Sequence, residues 1–74
     1  MSLEPSKDLE AAMERLEVEA ADLEGAALEA QTVAAGLPTF SGSRARRLRD
    51  RAGDCARRAA DIRTVLTALR EAMK

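Results

Sequence analysis

Two stripes of small and apolar residues, related by reflection about Ser41, constrain this chain more than any other feature. Before the irregular segment Gly36-Leu37-Pro38-Thr39-Phe40-Ser41-Gly42-Ser43, they fall at Leu9, Met13, Leu16, Ala20, Leu23, Ala27, Ala30, Ala34 and Leu37. After it they fall at Ala45, Leu48, Ala52, Cys55, Ala59, Ile62, Leu66, Leu69 and Met73. Alternating steps of four and three mark one face of a helix and, sustained this long, a coiled-coil seam. Folding the chain back at Ser41 pairs the stripes in order, from Leu9 with Met73 to Leu37 with Ala45, and the numbers of every pair add to 82.

The pairing also sorts by size. Both stripes are rich in alanine near the turn and in Leu, Met and Ile near the chain ends, so two helices can approach closely at one end and diverge at the other. Charge follows the same division. Residues 1–33 carry nine acids and two bases, whereas residues 34–74 carry four acids and ten bases. The acidic helix thereby repels copies of itself and selects a basic partner.

These patterns predict an all-α fold, an antiparallel two-helix hairpin with a coiled-coil-like, alanine-rich seam, assembling into a four-helix arrangement. A single domain spans 1–74, with helix 1 over about 6–34, the turn at 36–43 and helix 2 over about 44–72. Pro5 or Ser6 opens the first helix, and Gly36, in a left-handed conformation, ends it ahead of Pro38. Ser41 or Ser43 caps the second. Arg44, Arg46 and Arg47 then occupy its first turn, where the helix dipole disfavours positive charge. Beside the seam, the register brings Glu10 near Arg70, Glu17 near Arg63 and Gln31 near Arg49. Gly25 and Gly53 point away from the seam and mark either tolerated positions or the close approach of another backbone; the second is favoured.

Composition restricts the chemistry. The 74 residues include no His, Trp or Tyr, one Phe and one Cys. The usual general base and the commonest metal ligand are therefore missing, and one cysteine makes neither a zinc site nor an internal disulfide. The expectation is a non-enzymatic protein with no catalytic residue, no metal and no cofactor. Absence of a long apolar run and of a signal-like start points to no membrane association and a reducing, cytoplasmic setting. Cys55, facing Ala27, reads as a small buried hydrophobe. Phe40 either covers the closed end of the seam or anchors a partner, and covering is the expectation.

Two surfaces stand out. One flank of the seam gathers Ala12, Ala26, Val33, Val65, Ala68 and Ala72, more apolar surface than a charged hairpin needs, and such patches mark association sites. Val18 and Leu28, with Ala21 and Gly25, form a weaker stripe on the back of helix 1. The other surface is the basic cluster Arg44, Arg46, Arg47, Arg49 and Arg51. The resulting expectation is a protein–protein interaction module, a small scaffold, adaptor or chaperone-like subunit, whose partner is itself, as a homodimer, or an amphipathic helix of another protein. The alternative is binding of nucleic acid or an acidic surface by the arginine cluster, against which stand the near-neutral total charge, the lack of stacking aromatics and the adjoining acidic helix. In architecture and size the hairpin resembles the small hairpin chaperones that shield needle subunits of bacterial type III secretion systems. That likeness of shape, which carries no motif, implies an apolar flank held for an amphipathic partner helix.

Overall fold

The local signals just described place two long helices and a short connection in a computed structural model that describes residue 4 and residues 6–74. Helix α1 runs Lys7–Gly36 and helix α2 runs Gly42–Ala72, with one turn of 3-10 helix at Thr39–Ser41 between them. Ser6 caps α1: its hydroxyl oxygen accepts from the Leu9 backbone N–H at 3.1 Å, and Asp8 and Glu10 lie in the first turn, where negative charge suits the dipole. The other candidate start, Pro5, lies outside the described residues.

The end of α1 differs from expectation. No described residue, glycine or otherwise, has a positive φ, and the helix continues through Gly36. Leu37 breaks it instead, at φ −75° and ψ 146°, while its N–H still reaches the Ala34 carbonyl at 3.3 Å. The cause is Pro38, whose ring excludes the helical conformation from the residue before it. No left-handed residue is then required.

At the start of α2, Ser41 stands at the boundary but its side chain makes no capping bond. The Ser41 N–H closes the 3-10 turn on the Pro38 carbonyl at 2.9 Å, and the chain passes directly into α2 at Gly42. The helix thus begins two residues earlier than its spacing suggests. Only Arg44 remains in the first turn, and Arg46 and Arg47 move into the second, where the dipole's effect has largely decayed.

The two helices pack side by side in a body of 56 × 18 × 12 Å with a radius of gyration of 16.7 Å. A compact domain of this length would have a radius near roughly 11 Å. All eighteen residues of the mirrored stripes are buried or half-buried. Ala27, Ala30 and Ala52 form a buried cluster, with Leu48 and Cys55 packed against it, which is the 82 register seen at its narrow part. The buried residues are Ala20, Ala27, Ala30, Ala34, Ala45, Ala52, Ala59 and Leu66. The alanines of the seam are therefore enclosed and, Leu66 apart, its larger side chains only half covered, because a seam one side chain wide wraps a methyl group more completely than a longer chain. Cys55 belongs to the second kind, a free and half-buried thiol.

Neither internal glycine lies at a close approach within the hairpin: a Cβ added at Gly25 or Gly53 meets nothing within 4 Å. Both backbones are helical, so Gly53→Ala is expected to stabilise the fold by about 0.5–1 kcal/mol. Thermal unfolding followed by circular dichroism should show a higher midpoint, and an unchanged or lower one would indicate that position 53 meets another chain.

Candidate interaction surfaces

The cross-helix ion pairs show how side-chain direction, rather than register alone, selects partners. Arg63 grips Glu24 with two bonds, Nε to Oε2 at 2.9 Å and Nη2 to Oε1 at 2.5 Å, and Arg70 pairs with Glu17. Among the described residues, the expected pairs Glu10–Arg70, Glu17–Arg63 and Gln31–Arg49 do not form. Arg63 and Arg70 each take instead the acid seven residues further along α1. The reason is that every Cα–Cβ bond leans toward its own helix N-terminus. In an antiparallel pair, α1 side chains lean to the open end and α2 side chains to the turn, so residues whose numbers add to more than 82 converge and those adding to less diverge. Glu24 with Arg63 and Glu17 with Arg70 both add to 87.

Glu24 is held below its ordinary value of 4.5 by the hydrogen bond from Arg63, with desolvation opposing and the positive charge of Arg63 assisting. Arg63 is raised by the same bond and by the carboxylate's charge. A lowered carboxyl favours the folded chain above its unfolded value, and that contribution disappears as pH falls through the folded value. The hairpin should therefore lose stability as pH drops below 4.5, and Arg63→Ala should flatten part of that acid limb in a pH series of thermal melts. An acid limb identical in the variant would remove the bond from the stability of the fold.

The apolar flank divides into two patches. Near the turn, Val33 and Ala26 line a shallow groove with Glu29, Ala30, Leu48 and Arg51. Toward the open end stand Val65 and the half-buried pair Ala12 and Ala72. Val33 is 44% exposed and Val65 50%. Ala68 lies further round α2, in a groove with Arg63, Thr64 and Thr67. On the back, Val18 is 61% and Leu28 66% exposed, and Val18 shares a groove with Ala11, Glu14 and Arg15.

The arginines of the basic cluster are all exposed. At about 100° per residue they spread around the helix: Arg44 and Arg51 fall on the apolar flank, Arg49 on the ion-paired flank, and Arg46 and Arg47 on the outside. Phe40 does not cover the seam. It is 91% exposed, because Leu37 and Ala45 already occupy the closed end and the 3-10 turn carries the ring outward. Spacing could not show this, since a three-residue turn has no periodicity to read.

Among the described residues, no group of three or more His, Cys, Asp or Glu side chains is placed to hold a metal ion, and no helix is long and apolar enough to cross a membrane. The chain matches no known protein family, no curated protein and no solved structure.

Proposed function

We propose that the hairpin is a non-enzymatic protein–protein interaction module, a scaffold, adaptor or chaperone-like subunit that works through its apolar flank and associates with a second copy into a four-helix arrangement. The observation that carries this reading is the imbalance of burial. Leu66 is the one large side chain fully enclosed among the described residues, while Val33 and Val65 stand half exposed beside a seam that leaves Leu9, Met13, Leu16, Leu69 and Met73 only half covered. A second layer of helices supplies the missing cover. An amphipathic helix of another protein would fit the same flank. A reducing, cytoplasmic setting suits the single free thiol.

The test is solution molar mass by light scattering at low and high salt, with helicity recorded at each concentration. The expected mass is roughly twice the 8.0 kDa of one chain, with concentration-dependent helicity that survives high salt. Val33→Asp and Val65→Asp should return the protein to the single-chain mass. A partly helical monomer at every concentration would overturn self-association. Affinity for nucleic acid that falls steeply with salt, and is lost when Arg44, Arg46 and Arg47 are replaced together, would replace the whole reading.

A further inference from the structure

The two flanks of the seam treat their arginines differently. On one, Arg63 and Arg70 meet Glu24 and Glu17, acids one heptad apart on α1. On the apolar flank α2 presents Arg44, Arg51 and Arg58, again one heptad apart and so in a row about 21 Å long. The α1 positions facing Arg51 and Arg58 hold Val33 and Ala26 in place of acids. All three arginines are exposed, and among the described residues none takes part in an ion pair. Glu29 lines the same groove as Arg51 but does not pair with it. Their numbers add to less than 82, so the two side chains lean apart. The groove therefore has an apolar floor of Ala30, Val33 and Leu48, with a basic edge on α2 and an acidic edge on α1.

From this asymmetry we infer that the half of the flank nearest the turn docks an amphipathic helix of another protein, one that carries acidic residues at every seventh position along the edge it turns to α2. This rests on the apolar-flank reading above and names the chemistry of the partner helix that shares this surface with a second copy. The partner's carboxylates take the part that Glu17 and Glu24 play on the opposite flank, where those two acids are already held by Arg70 and Arg63. Asp22 and Glu29, exposed along the α1 edge, repel the same carboxylates. Attraction on one side and repulsion on the other fix the rotation of the bound helix as well as its composition.

Spacing also sets the partner's length and place. A row of about 21 Å is matched by a helix of about 15 to 21 residues. The next position of the series after Arg58 is Val65, faced by Glu19, so an acidic helix finds no cation further toward the open end of this flank. A phosphate backbone has no such preference. It would engage Arg46 and Arg47, on the outside of α2, as readily as the row beside the groove.

The test is fluorescence anisotropy with two labelled peptides of about three heptads, alike in a face of alanine and leucine and differing at every seventh position beside it, glutamate in one and lysine in the other. The glutamate peptide should bind the parent hairpin about tenfold more tightly than its lysine twin, the size expected of three exposed ion pairs together. Arg51→Glu combined with Arg58→Glu should reverse that preference. Arg46→Glu combined with Arg47→Glu, the same change of charge on the outside of the helix, should leave it in place. All four sites are exposed, and circular dichroism checks that both variants remain helical. Equal affinity for the two peptides, lost in Val33→Asp, would overturn the acidic partner and leave the apolar flank standing. A preference weakened as much by the outside pair would overturn the row in favour of net charge, and tighter binding of single-stranded DNA to the same arginines would assign the row to nucleic acid. Failure of both peptides to bind a protein of dimeric mass would overturn the partner helix alone. The same failure at a single-chain mass would overturn the apolar-flank reading with it.

Discussion

Leu66→Ala is expected to leave most of the chain unfolded at concentrations where the parent is helical. Leu66 is 1% exposed and is the largest side chain in the buried set, the other members being alanines. Truncating such a leucine costs about 2–5 kcal/mol, from the lost transfer energy and the cavity left behind. A chain of 74 residues sits near the size where one core is marginal, so a loss of that size is comparable with its whole stability. Far-UV circular dichroism against temperature and protein concentration checks this. A midpoint within a few degrees of the parent would mean that the half-buried Leu, Ile and Met residues carry the seam together and that no single position dominates it.

The second large effect is in the opposite direction of size. Ala52→Leu adds bulk where Ala27 and Ala30 face Ala52 and where Leu48 and Cys55 already fill the adjoining space. Ala52 is 1% exposed, so the new side chain has to push the helices apart. Overpacking of this kind costs about 1–3 kcal/mol. The control is Ala60→Leu, one helical neighbour of the seam and exposed, where the change should lie within about 0.5 kcal/mol. Lower stability for Ala52→Leu with parent-like behaviour for Ala60→Leu identifies close approach as the function of the alanines. Equal stability of both variants would show that helix propensity, not fit, explains them.

Periodicity carries the fold far because it reports angle around a helix, and angle decides which residues meet. Each of the mirrored positions, including small and ambiguous ones such as Ala20 and Ala59, is at least half-buried. Periodicity says nothing about reach along the axis, which is why level pairing sets Arg63 and Arg70 against acids one heptad short of their partners. The lean of Cα–Cβ bonds toward the N-terminus contains the missing information, and applying it to the same residues yields Glu24–Arg63 and Glu17–Arg70. Gly36 misleads for a different reason: glycine permits a left-handed stop without demanding one, and Pro38 acts first through Leu37. The flank was legible as a set of residues but not as a surface. Spacing placed Val33 and Val65 on one side of the hairpin, and only their heights reveal two separate patches.

A body 12 Å across in its thinnest direction is a single helix deep, which leaves its length unconstrained by any interior. Removing about seven residues from each helix at the same height would shorten the hairpin by about 10.5 Å and return every remaining side chain to its face. Removing one heptad from one helix alone would slide the acids past the arginines by a full repeat. Extension is thus quantised in heptads and must be matched on both strands, so that the hairpin behaves as a graduated rod, on which a partner is located by how far along it lies.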